Sequence, residues 1–213
     1  MIEPRYAYLH GFASSSRSFK GVALAERFEA DGHTLHLPDL NRPSFARLTV
    51  SAALQVLDDL DTAVPGGPWR LIGSSMGGFV ASRWAQLHPE KVERLLLLCP
   101  GFGLPDRWPS ILGEDAFARW EREGKLEFPD VDGTPTGVHW AFVEDARRHP
   151  GHPDVPCPTH IIHGRRDEVV PFAGSETYAA SREHVELVEV DDVHSLTASL
   201  DVIAGEAASW LRG

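Results

Sequence analysis

LIGSSMGGF, residues 71–79, joins a strand-like apolar run to a stretch with helical spacing over 76–88. Gly73, Ser75 and Gly77 spell G-x-S-x-G, which makes a sharp elbow only where a buried strand precedes it and a helix follows. The outer glycines serve a crossing too close for side chains, and the central serine is pushed out at the C-terminal end of the strand. Ser75 is therefore the expected nucleophile, and Ser74 falls on an x position. The elbow also sets the Met76 N–H at a helix N-terminus, where unpaired amides and the helix dipole favour developing negative charge. A glycine-rich polar turn would carry the same letters, so the rest of the chain has to supply partners.

Outward from the elbow, short β-rich runs recur: RYAYLHG (5–11), HTLHLPDL (33–40), WRLIGSS (69–75), ERLLLLCP (93–100), THIIHG (159–164) and HVELVEVDD (184–192). Several are almost continuously apolar, as strands buried on both faces of a parallel sheet are. Helical patterns alternate with them. SSRSFKGVALAERFEADG spaces Phe19, Val22, Ala23, Ala25 and Phe28 at roughly helical intervals, and further helices are expected in 44–63, 76–88, 172–182 and 195–212. The alternation predicts a doubly wound α/β fold in one domain over 1–213, with no repeat or linker.

The interval from about 101 to 156 breaks the rhythm, far exceeding the usual connection of about 2–6 residues in α/β units. It is rich in aromatics, with Phe102, Trp108, Phe117, Trp120, Phe128, Trp140 and Phe142, and has turn signals DGTPTG and HPGHPD. A helix over GEDAFARWEREG (113–124) fits its pattern. The expected role is a lid over a pocket; the alternative is an excursion whose aromatics bury themselves against the sheet.

A serine hydroxyl needs a base, usually a histidine oriented by a carboxylate, and where a G-x-S-x-G elbow carries the nucleophile the partners follow it in the order acid, then His. Asp167, in IIHGRRDEVVP, lies just beyond the fifth strand run at the same sheet edge as Ser75, with Glu168 beside it as the competing acid. Val169, Val170 and Pro171 are expected to pack inward and leave Asp167 at the loop tip. His194, in VEVDDVHSL, follows the last strand run, where the base is required; Asp191 and Asp192 read as turn and cap residues. A second oxyanion donor is expected from the Phe12 N–H in LHGFASS, where Gly11 lets the chain approach the substrate. His10 and His163 read as structural hydrogen-bonding groups near the site, and at least one of Ser14 to Ser16 as a cap of the next helix.

With these residues placed, the chain resembles the α/β-hydrolase superfamily over nearly its whole length. LHGF, GSSMGG, HGRRDEVVP and DDVHS in this order carry the resemblance, and YLHGFASSSRS with GSSMGGF looks like small bacterial serine esterases bearing H-G-F-x-S-S and G-S-S-x-G-G. The resemblance implies Ser75 as nucleophile, Asp167 as acid, His194 as base and the Phe12 and Met76 amides as oxyanion donors, with no cofactor. The usual first two strands are missing, which predicts a mostly parallel six-stranded sheet of order 2-1-3-4-5-6. DVH stands where a glycine-containing turn is more usual.

The expected reaction is hydrolysis of carboxylic esters of small to medium acyl groups through an acyl-enzyme. A thioester is the closest rival substrate, and perhydrolase or C–C bond hydrolase chemistry could use the same residues. A non-catalytic ligand-binding protein on the same fold is the rival of another class. Serine in the elbow argues against haloalkane dehalogenase or epoxide hydrolase chemistry.

Composition narrows the rest. The net charge of −11 argues against a general nucleic-acid binder, because phosphate binding needs a basic face. No run approaches the roughly 20 apolar residues of a membrane span, and the N-terminus lacks a signal-peptide core, so a cytoplasmic protein is expected. Cys99 and Cys157 fall at opposite edges of a parallel sheet, beyond the roughly 7 Å Cα limit for a disulfide, and read as free thiols. His149 and His152 lack the companion ligands of a zinc site, and no metal is expected.

Overall fold

The computed structural model describes residues 3–212. The chain first lays down β1 (Arg5–Leu9), α1 (Phe19–Ala30), β2 (Leu35–His36), α2 (Val50–Ala63), β3 (Trp69–Ser74), α3 (Met76–Leu87) and β4 (Val92–Leu98). The insertion follows as α4 (Leu104–Leu112), α5 (Glu114–Glu123), β5 (Lys125–Pro129), β6 (Pro135–His139) and α6 (Ala141–Ala146). The chain then returns through β7 (Thr159–Gly164), α7 (Phe172–Ala180), β8 (Val185–Val190) and α8 (Leu200–Glu206), which runs into a π-helical turn, Ala207–Leu211.

Six strands form one sheet in the order β2-β1-β3-β4-β7-β8. Every pairing is parallel, so the expected order holds once the separate β5–β6 hairpin is set aside. Side chains alternate across the sheet. Ala7, Leu9, Leu71, Leu95, Leu97 and Ile161 pack on one face with α2, α3 and the insertion. Tyr6, Tyr8, Ile72, Leu96, Leu98 and Ile162 pack on the other with α1 and α8. The continuous apolar runs of β3 and β4 are what burial on both faces requires.

Several expectations are corrected. The strand over 33–40 pairs with β1 only at Leu35 and His36; beyond them Pro38 has no N–H, and the Leu40 N–H bonds the His10 ring at 2.9 Å. In α1 the buried stripe is Gly21, Leu24 and Phe28, while Phe19 is 64% and Val22 38% exposed. Ser18, not Ser14 to Ser16, caps α1, accepting the Gly21 N–H at 3.3 Å. The helix expected from 44 breaks into a 3₁₀ turn, Phe45–Arg47, before Thr49 caps α2. The last helix starts at Leu200 rather than 195, because 191–199 form the loop that carries His194.

The insertion contains the expected helix as α5 and, unforeseen, the β5–β6 hairpin, whose turn over 130–134 takes in the first half of the DGTPTG signal while its second half opens β6. Its aromatics are buried apart from Phe128, which is half-buried. Trp120 is fully buried, stacks on Phe142, meets Trp108 and Trp140 edge-on and donates its indole N–H to the Val138 carbonyl at 2.8 Å. Phe12 lies against Trp108, Phe128 and Phe142, which couples the insertion to the loop after β1.

Candidate active site

Because all six strands run the same way, the loops after β1, β3, β4, β7 and β8 share one sheet edge, where α/β folds place their ligands. Ser75 lies between β3 and α3 at φ 53°, ψ −118°. A Cβ on Gly73 would stand 2.6 Å from the Gly77 carbonyl oxygen, and one on Gly77 would stand 2.2 Å from that of Leu9. Gly77→Ala is therefore expected to cost about 1–3 kcal/mol of stability, read as a lower urea midpoint. Activity should fall with it, because β1 would be displaced together with the Gly11–Phe12 loop.

Four non-glycine residues among those described have positive φ: Ala13, Ser75, Cys99 and Leu196. They sit in the loops after β1, β3, β4 and β8. Such strain persists where surrounding structure over-determines it, and it gathers at functional sites.

The structure brings Ser75, His194 and Asp167 together. His194 Nε2 is 3.0 Å from Ser75 Oγ, and His194 Nδ1 is 2.7 Å from Asp167 Oδ2. Asp167 Oδ1 accepts the Val169 and Val170 N–H groups at 2.9 and 2.7 Å. The competing Glu168 is exposed and makes none of these bonds. Val170 packs inward as expected, but Val169 is 44% exposed and Pro171 is exposed as well. Burial opposes ionisation of Asp167, yet hydrogen bonds from His163, His194 and the Val170 amide prevail and hold its carboxyl well below the usual range.

His163 and His10, both fully buried, brace the site from behind. His163 Nε2 lies 2.9 Å from the Val170 carbonyl, which can only accept, so this nitrogen carries the proton; it also faces Asp167 Oδ2 at 3.2 Å. Nδ1 then accepts from the Ser175 hydroxyl at 2.8 Å. His10 Nε2 accepts the Leu40 N–H, so its proton is on Nδ1, donated to the Gly11 carbonyl at 2.9 Å. Burial lowers the His10 pKa and favours this neutral form. The carbonyl of Gly11 is thereby held, and with it the orientation of the following Phe12 amide. A Cβ on Gly11 would come 3.3 Å from that of Ser75. Among the described residues, neither the Phe12 nor the Met76 N–H donates a hydrogen bond.

Cys99, His163 and Asp167 are the described side chains close enough together to share an ion. The His163 nitrogen facing Asp167 holds a proton, and burial pushes the Cys99 thiol up, so this donor set is wrong for a cation. Cys99 and Cys157 are both free and buried, and burial pushes Cys157 up to about 12. Such thiols are poor nucleophiles. His149 is occupied by Ser51 and Asp145.

Two cavities meet at Ser75 and His194. One, about 320 Å³, is apolar and roofed by the insertion through Leu104, Trp108, Ile111, Leu112 and Phe128. Arg107 stands in its wall and donates to the Val169 carbonyl, tying α4 to the Asp167 loop. The other, about 380 Å³, is mixed in character and lies toward α1, with the Phe12 and Phe19 rings beside Tyr8, Ser14, Ser18, Lys20, Ser195 and Thr197 in its walls. Sequence reading missed Lys20 and Arg107, since no motif distinguishes them from other surface cations. A serine hydroxyl bonded to a carboxylate-oriented imidazole, beside two unpaired amides, can perform nucleophilic acyl transfer.

The comparisons agree with this class of protein. The chain matches the profile of the uncharacterised protein family UPF0227 over residues 5–204 and belongs to that family, within the α/β-hydrolase superfamily. It is similar to the mitochondrial palmitoyl-protein thioesterase ABHD10 of Mus musculus, 28% identical over 81% of this chain. The match spans 61% of that protein's length. The solved mouse α/β hydrolase domain-containing protein 10 superposes with a TM-score of 0.76 at 25% identity, covering 95% of this chain and 87% of that one. A structure from Agrobacterium vitis S4 superposes with a TM-score of 0.80 at 25% identity, covering 95% and 86%. Among the described residues no helix is long and apolar enough to cross a membrane.

Proposed function

We propose that this protein is a serine hydrolase that cleaves carboxylic esters of small to medium acyl groups through an acyl-enzyme. The observation that carries this reading is the continuous hydrogen-bonded chain from Ser75 Oγ through His194 to Asp167. Ser75 Oγ attacks the carbonyl carbon while His194 Nε2 takes its proton, and the Asp167 carboxylate stabilises the imidazolium and fixes its orientation. The oxygen of the tetrahedral intermediate accepts from the Phe12 and Met76 amides. His194 returns the proton to the leaving group, and water activated by the same imidazole releases the acid. His10, Gly11, Gly73 and Gly77 support this geometry.

The acyl group enters the apolar cavity, for which the insertion is the lid. A second reading, thioester hydrolysis, is favoured by the name of the mouse relative, a palmitoyl-protein thioesterase. A cytoplasmic location and a single-domain organisation belong to the same proposal.

The test is a pair of acyl series, p-nitrophenyl esters and S-acyl thioesters from acetyl to palmitoyl. kcat/KM is expected to peak at short or medium chains in both, and the series with the higher peak names the substrate class. A maximum at palmitoyl would contradict the acyl-size assignment. Inertness of both series would favour a ligand-binding protein.

A further inference from the structure

The mixed cavity beside Ser75, on the α1 side, holds a cation with nothing of opposite charge in contact. Lys20 lies in its wall, half-buried, and one ammonium N–H donates to the Ser195 carbonyl at 2.5 Å. An ammonium has three donors, so two remain for a ligand. Among the described residues no carboxylate lies within ion-pair distance of Lys20, and no acidic residue lines the cavity. Asp192 acts on Lys20 only through space, its carboxylate being committed to the Val193 N–H at 2.8 Å and the Ser199 hydroxyl at 2.9 Å. In a chain of net charge −11, a cavity whose walls carry several hydroxyls and one cation but no acid is an exception to the surrounding field.

We propose that Lys20 reads a negative charge on the leaving group: the preferred substrates are esters or thioesters whose alcohol or thiol carries a carboxylate or phosphate. This rests on the serine hydrolase reading above and deepens it. The apolar cavity takes the acyl chain, so the departing group lies on the opposite side of Ser75, toward α1. When the tetrahedral intermediate collapses, the C–O or C–S bond breaks and its electron pair leaves with the oxygen or sulfur. His194 supplies the proton there, while the Lys20 ammonium and the Ser14, Ser195 and Thr197 hydroxyls hold the distal anion.

The experiment compares butanoyl thioesters of ethanethiol, 3-mercaptopropionate and 2-mercaptoethyl phosphate, with oxygen-ester counterparts, in wild type, Lys20→Met and Lys20→Arg. In the wild type kcat/KM for an anionic thioester is expected to exceed that for the neutral one by about tenfold, the scale of a charged hydrogen bond. That ratio should arise mainly in KM, decline with salt, collapse toward one in Lys20→Met and persist in Lys20→Arg. The larger of the carboxylate and phosphate ratios identifies the anion. A wild-type ratio near one, or one that survives in Lys20→Met, would overturn the inference while leaving the hydrolase reading intact. Failure to turn over any ester or thioester would overturn the hydrolase reading and this inference with it.

Discussion

Ser75→Ala is expected to lower kcat by about 10⁶-fold on the best ester or thioester substrate, with the fold unchanged. The size follows from geometry: the hydroxyl bonded to His194 Nε2 at 3.0 Å is that of Ser75, and without it the imidazole has no nucleophile to deprotonate. Phe12 and Met76 would still offer their amides, so residual turnover above the uncatalysed rate is expected. Alanine at φ 53° is as strained as serine, and the thermal midpoint should barely move. Ser75→Gly should be equally inactive yet more stable, by about 1 kcal/mol, because glycine adopts that conformation freely. A dead but more stable variant would show directly that the turn holds its serine under strain.

Asp167→Asn is expected to cost about 10⁴-fold in kcat, and the hydrogen bonds dictate why. The Oδ1 position faces two backbone N–H donors and must remain an acceptor. The asparagine NH₂ therefore falls where Oδ2 now faces His194 Nδ1. That nitrogen must then accept, the ring proton moves to Nε2, and Nε2 can no longer take the proton of Ser75.

The same variant has a consequence for stability against pH. A carboxyl whose folded pKa is depressed contributes stability that is fully present above its unfolded value, near 4, and is lost as pH falls toward the folded one. The wild-type urea midpoint should therefore fall as pH drops below about 5, and the Asp167→Asn midpoint should fall less steeply. Equal slopes would mean that Asp167 is not held ionised by His163, His194 and the loop amides.

Much of this site was legible because the fold imposes chain order. The glycine spacing around Ser75 is a steric requirement, met in the structure by the Gly77 and Leu9 backbones. Asp167 and His194 follow strands of one parallel sheet, so position alone brought them to the edge that holds Ser75. The face of α1 was not legible, because Phe19 and Val22 are apolar yet exposed, and helical spacing cannot say which stripe meets the sheet. The β5–β6 hairpin escaped notice for another reason: KLEFP alternates over only five residues and ends in proline. Lys20 was invisible because its significance lies in what surrounds it, which no local pattern encodes.

The measurement that tests the central claim most directly is reaction with a fluorophosphonate, followed by intact-mass and peptide mass spectrometry. One adduct per chain is expected, on Ser75, absent from Ser75→Ala and greatly slowed in Asp167→Asn. Labelling of Ser74 or another residue, or no labelling of the folded wild type, would contradict the assignment of Ser75 as the nucleophile.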